Sequence, residues 1–252
     1  LDVRTARDLR KAGLGLARDP AVRAVVLRGE GRVFCSGADL KYIRAGGDPS
    51  DLGYLSPEKR ATPEGFGAIF RQILEYLHST ISEIRRAPKP FVAAVDGACG
   101  AGGLGLALAC DLVVASERST FEYAYFKTGL SGAESTTFFL PKLVGLRRAA
   151  DMAFLNPRLT ARDAERIGLI SAVYADDAFE AEVGALAERL ANGPTSAMAA
   201  AKRLMNEAAD VDRLDHHLDR ELDELGHVTD GPDFTEGLRA FFAKSTPRFE
   251  GR

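Results

Sequence analysis

Five glycines crowd one short stretch of the chain: Gly97, Gly100, Gly102, Gly103 and Gly105. They follow the apolar run Phe91–Val95 and lead into the apolar segment Leu104–Ala109. A glycine-rich passage from strand to helix leaves backbone N–H groups unshielded beside the positive end of a helix dipole. Such a place holds a phosphate, or an oxygen that gains negative charge during a reaction. Ser36-Gly37-Ala38-Asp39 has the same character, with small residues just after the strand-like Val33-Phe34. Two such strand ends can together offer two N–H donors to one oxygen.

Two other readings compete for the glycines. Gly100-Ala101-Gly102-Gly103-Leu104-Gly105 spells G-x-G-x-x-G between a strand and a helix, the pattern of a dinucleotide-binding turn. Against it, Asp96-Gly97-Ala98-Cys99 separates the first glycine from the strand end. No strand ending in an acidic residue follows about 20 positions on. The second reading is close helix packing, which accounts for about two of the glycines but not for their clustering. Elsewhere, His216-His217 with Asp215 and Asp219 brings metal-ligating types together, but neighbours on a helix point different ways. We expect a solvated helix face there and no metal site.

Several elements must position these loops. Residues 3–18 form an amphipathic helix stopped by Asp19-Pro20, and Ala24–Leu27 is a short strand before the turn Gly29-Glu30-Gly31. A polar excursion runs from about Gly46 to Thr62. Thr62-Pro63-Glu64 then supplies an N-cap residue and a proline at the first helical position, opening a helix that runs to about Arg86. Leu112–Ala115 is a further strand. From about Pro141 the pattern is helical, with one strand-like interruption at Leu169–Tyr174. Strands with crossover helices in the first half and helices in the second make an α/β fold.

Composition removes other function classes. The chain has 252 residues, 46% hydrophobic and 27% charged, with a net charge of −3. Nothing in that balance recommends nucleic acid as a partner. No apolar run nears the roughly 20 residues that span a bilayer, so no membrane association is expected. No signal-peptide pattern is read in these residues, and because the sequence starts at Leu1 the natural N-terminus is expected upstream. Cys35, Cys99 and Cys110 form no C-x-x-C pair, which suits free thiols in the reducing cytoplasm.

The order of these motifs resembles the enoyl-CoA hydratase/isomerase (crotonase) superfamily over nearly the whole chain. The first signature is Val22–Leu27 followed by Phe34-Cys35-Ser36-Gly37-Ala38-Asp39-Leu40-Lys41. The second runs from Pro90 to Asp111 and holds Asp96-Gly97 and Ala101–Gly105. Phe139–Gly145, Leu159-Thr160-Ala161, Gly168-Leu169-Ile170, Phe234–Gly237 and Phe241–Lys244 match behind them. The resemblance implies a spiral of ββα units over residues 1–190 and a C-terminal helical trimerisation section over 191–252. It implies a homotrimer or hexamer. A strand pair with a CoA-binding basic residue is expected ahead of this sequence. By the same resemblance the amides of Ala38 and Gly102 form an oxyanion hole for a thioester carbonyl. Ser36, Asp39, Leu40 and Lys41 would line the acyl-CoA site, and Lys41 and Lys244 would meet CoA phosphates; for both lysines a solvated surface position competes. No cofactor is implied beyond coenzyme A as part of the substrate.

The sequence departs from the family where hydratases carry two glutamates: Gly105 and Tyr125 occupy those positions. Hydration is therefore not expected, because adding water needs one group to activate it and another to protonate the α-carbon. Glu134 is the nearest replacement, one residue after Ala133, where some isomerases and dehalogenases carry their carboxylate. Isomerisation through Glu134 is the favoured chemistry, with Tyr125 as a hydrogen-bond donor or stacking partner. A decarboxylase or lyase and a non-catalytic acyl-CoA-binding protein are the alternatives. Competing with the catalytic reading, Glu134 is a first-turn carboxylate of a helix beginning near Ser131, and Tyr125 a packed core residue. His78 is expected to pack or to face solvent rather than to act.

Overall fold

The computed structural model describes residues 1–51 and 66–251. The strands fall into two sheets. β1 (Val25–Arg28), β3 (Phe91–Val95), β5 (Leu112–Ser116) and β8 (Ala172–Tyr174) form one, parallel throughout, in the order β1-β3-β5-β8. β2 (Val33–Cys35), β4 (Ala98–Gly100), β6 (Thr120–Glu122) and β7 (Leu159–Thr160) form the other, with only β6–β7 antiparallel. Through β6, each successive pair of strands thus contributes one strand to each sheet before helices carry the chain back, whereas β7 joins the sheet of β6. This is the expected α/β spiral of ββα units.

The turn between the two strands of a unit is tight, and glycine makes it possible. Gly97 sits at φ 87° between β3 and β4, and a Cβ there would stand 1.9 Å from the Arg32 carbonyl oxygen. In the second sheet β4, β6 and β7 escaped the sequence reading because two or three residues are too few to show alternation. The single strand foreseen at Leu169–Tyr174 is shorter, Ala172–Tyr174, and β7 is a second interruption of the helical half.

Two helices of the first half pack on each other. α1 (Val3–Arg18) matches its expected span, capped by Asp2, whose carboxylate accepts the Thr5 N–H at 2.7 Å. It packs on α3 (Gly67–Arg86), which buries Ile69, Ile73, Leu77 and Ile81. The cap expected at Thr62-Pro63-Glu64 lies outside the described residues; the helix seen here has its Gly67 N–H on Asp230 Oδ1 at 2.9 Å. α2 (Leu40–Arg44) follows β2, and the wholly buried α4 (Gly102–Ala109) follows β4. After α5 (Thr136–Val144), α6 (Leu146–Phe154), α7 (Ala161–Arg166), α8 (Phe179–Ala191) and α9 (Thr195–Ala208) come α10 (Leu214–Thr229) and α11 (Pro232–Ala243). Leu214, Leu218, Leu225 and Phe234 join α10 and α11 to the same core as Phe91, Leu104 and Phe121. No helix among the described residues is long and apolar enough to cross a membrane.

Candidate active site

The two small-residue loops meet. Asp39 ends the first by capping α2, its carboxylate accepting the Lys41 and Tyr42 N–H groups at 2.9 and 3.1 Å. Gly37, at φ 100°, presses on the second loop so closely that a Cβ would lie 2.7 Å from Ala101 Cβ and 3.4 Å from Gly102 N. The N–H groups of Ala38 and Gly102 donate to no group among the described residues, and both residues line one cavity of about 580 Å³. Gly102 is the first residue of α4, so its amide lies at the positive end of that helix.

Packing claims more of the glycine cluster than the two residues expected. Cβ atoms at Gly103 and Gly105 would lie 2.1 Å from the carbonyl oxygens of Cys35 and Glu134, and Gly97 is equally confined. The dinucleotide reading fails on this geometry: β4, not the long β3, feeds α4, and Glu134 closes over the helix start where a pyrophosphate would lie.

Glu134 is not a first-turn helix carboxylate. α5 begins at Thr136, and Glu134 and Ser135 form a corner before it with left-handed backbones at φ 51° and 62°. Such conformations cost non-glycine residues on the order of 1–3 kcal/mol each, and they persist only where surroundings hold them. The corner turns the Glu134 side chain onto α4, so that a Cβ on Gly102 would meet Cδ and Oε1 at 2.9 Å. The carboxyl is buried, and among the described residues lining the cavity it is the one buried acid, since Asp39 is exposed and committed to its cap.

Tyr125 is packed in the core, the competing reading, and is also bonded to this carboxylate. Its hydroxyl lies 2.5 Å from Glu134 Oε2, 2.9 Å from the Ala133 carbonyl oxygen and 3.3 Å from Thr136 Oγ1. With one proton, the hydroxyl serves two states. It donates to Glu134 when the carboxylate is ionised; when Glu134 is protonated, Glu134 donates to Tyr125 and Tyr125 turns to Ala133. Burial pushes the Glu134 carboxyl up to about 7, against the Tyr125 hydrogen bond and with the help of the nearby Glu221 charge. Burial, then the Glu134 charge, holds the Tyr125 hydroxyl well above its usual value. Glu134 can therefore both take and return a proton near neutrality.

The remaining residues divide. Ser36, Asp39, Leu40 and Lys41 line the cavity, with Lys41 exposed at its edge. Lys244 does not line it: it is exposed in a left-handed conformation ending α11, although Phe241 and Phe242 of that helix reach the cavity. Lys127, missed in the sequence, lines the cavity and pairs with Glu122. His78 is buried, its Nε2 3.6 Å from Glu221 Oε2. His217 Nε2 lies 2.8 Å from Thr137 Oγ1, and no three His, Cys, Asp or Glu side chains among the described residues are grouped to hold a metal. Glu221 was also missed, although it falls on the 214, 218, 221, 225 stripe that α10 buries.

Comparison with known proteins agrees with this arrangement. Residues 64–252 match the family described as enoyl-CoA hydratase/isomerase. A probable enoyl-CoA hydratase of Rhodobacter capsulatus is 37% identical over 241 residues, covering 96% of this chain and 86% of that protein. A 4-chlorobenzoyl coenzyme A dehalogenase of Arthrobacter sp. is 33% identical over 232 residues, covering 91% and 77%. The crystal structure of an enoyl-CoA hydratase from Mycobacterium avium subsp. paratuberculosis superposes with a TM-score of 0.84 at 34% identity, covering 99% of this chain and 89% of that one.

Proposed function

Because this chain belongs to the enoyl-CoA hydratase/isomerase family, we propose that it binds an enoyl-CoA thioester and shifts its double bond by proton transfer through Glu134. The thioester oxygen accepts from the Ala38 and Gly102 amides, which stabilise charge as it builds there. Glu134 removes a proton from the carbon between the carbonyl and the double bond. The electron pair spreads over an extended enolate, and Glu134 returns the same proton at the far end of the conjugated system. Atoms and charge balance, and no water is consumed.

The observation that carries this reading is a single buried carboxylate against the residue that starts α4, with Gly105 and Tyr125 where hydration would need two acids. The relatives' names span hydration and dehalogenation, so the family supports a CoA thioester as substrate without choosing the reaction. Lys41 and Lys127 at the cavity are the candidates for CoA phosphates. The three free cysteines support a cytoplasmic location. The test is turnover of a 3-enoyl-CoA panel in deuterated water, followed by mass spectrometry. Glu134→Gln should lower kcat by at least about 10²-fold, the usual lower range for losing a general base. Unchanged turnover in that variant would remove Glu134 from the reaction, and binding without product would favour a non-catalytic acyl-CoA-binding protein.

A further inference from the structure

A second buried carboxylate, outside the cavity lining, meets the same corner. Glu221 of α10 is 5% exposed, and its carboxylate oxygens meet polar partners. Its Oε2 accepts the backbone N–H of Ser135 at 2.8 Å, and its Oε1 accepts the Thr137 hydroxyl at 2.5 Å. Since the one proton of Thr137 goes to Glu221, His217 must donate its Nε2–H to Thr137 Oγ1 at 2.8 Å. His78 Nε2, from α3, lies 3.6 Å from Oε2.

These bonds converge on the corner that aims Glu134. The left-handed pair Glu134–Ser135 is gripped from two sides. On one, the Glu134 carbonyl rests in the space left by Gly105; on the other, Glu221 holds the next N–H along the chain.

We propose that Glu221 is a positioning residue for Glu134: it pins the Glu134–Ser135 corner through the Ser135 amide and places a fixed negative charge near the base. The inference rests on the reading of Glu134 as the proton carrier. The groups facing Glu221 are His78 from α3, His217 from α10, Glu134 from the corner, and the Tyr123 and Tyr125 hydroxyls from the segment after β6. Burial holds His78 below its usual value, so it adds no compensating cation above neutrality. The charge on Glu221 therefore acts on Glu134 in one direction: it favours the protonated form and makes the carboxylate a stronger base.

Two variants separate this role from simple packing. Glu221→Gln keeps an acceptor for the Ser135 N–H but removes the charge; Glu221→Ala removes both. Glutamate labelled with ¹³C at the carboxyl carbon, with the Glu134 signal identified by its loss in Glu134→Gln, reads the titration of the base directly. The Glu134 midpoint should fall in Glu221→Gln relative to the unaltered protein. In Glu221→Ala, kcat should fall by about 10²-fold, the cost of a base displaced by an ångström, with KM within about threefold. Glu221→Gln should recover most of that loss. An unmoved Glu134 midpoint in Glu221→Gln overturns the proposal, as does a kcat within twofold in a folded Glu221→Ala. If the alanine variant does not fold, the glutamine titration decides alone. The titration does not depend on turnover, so a failed isomerase reading (Glu134→Gln still active) remains distinguishable from a failed role for Glu221.

Discussion

Gly105→Ala is the sharpest perturbation available, because it adds one carbon at a known distance from the base. A Cβ there would stand 2.1 Å from the Glu134 carbonyl oxygen, 2.7 Å from Thr136 Oγ1 and 2.8 Å from Glu134 Cβ, and real Cβ atoms essentially never come within 3.0 Å. The nearest obstacle is backbone, so no rotamer change relieves it. The corner must retreat by about 1 Å, a displacement worth on the order of 10²-fold in rate when it moves a catalytic group. Overpacking costs about 1–3 kcal/mol. The helix-propensity gain of alanine over glycine returns up to about 1 kcal/mol. A net loss of about 1–2 kcal/mol lowers Tm by about 2–8 °C in a chain of this size. Gly15→Ala is the control, since its Cβ in α1 meets nothing within 4 Å. The assay is kcat on the enoyl-CoA panel together with a thermal melt of both variants. A Gly105→Ala protein with unaltered kcat and Tm would refute the view that Gly105 and the Glu134 corner are fitted to each other.

Three further outcomes follow from the site and the surface. The Glu134 carboxyl is pushed from 4.5 to about 7 on folding, so between those values the unfolded chain binds fewer protons than the folded one. Stability should therefore fall as pH rises through that window, by about 3 kcal/mol in all; denaturant unfolding at pH 5 and pH 8 should show this decline and its loss in Glu134→Gln. Tyr125→Phe, which removes the bond opposing the shift, should extend the decline to higher pH. We also propose self-association as a homotrimer or hexamer, supported by Leu143, Leu146, Phe154, Leu155, Leu204 and Met205 on α5, α6 and α9 and at the end of α6. Sedimentation velocity should show such an assembly; a monomer at micromolar concentration would oppose it.

What the sequence made legible was whatever has a long period or a fixed motif. α1, β3, β5 and the helical second half announce themselves through apolar spacing, and the Gly37-Ala38-Asp39 and Gly102-Gly103 loops through small residues at strand ends. β4, β6 and β7 did not, because two or three residues carry no period and their existence depends on neighbours far along the chain. Glu134 was legible as a residue but not as a conformation. A carboxylate just before an apolar helix reads as dipole-favoured, and only tertiary contacts hold two successive non-glycine residues left-handed. Glu221 was hidden by its company in Asp215–Glu224, where one charge in a charged run looks solvated until α3 and the Glu134 corner bury it.

Gly105 and Glu134 are therefore one feature seen from two places. At residue 105, where the family resemblance leads one to look for a hydratase's carboxylate, the space is filled by the backbone of the segment that brings Glu134 in. A glutamate grafted onto 105 would have to displace the Glu134 carbonyl at 2.1 Å before its own side chain reached the cavity. It would displace Glu134, the proposed base, in the act of adding a second carboxylate. On the proposed reading the corner carboxylate serves in place of the missing acids, and Glu221 accepts the corner's Ser135 N–H.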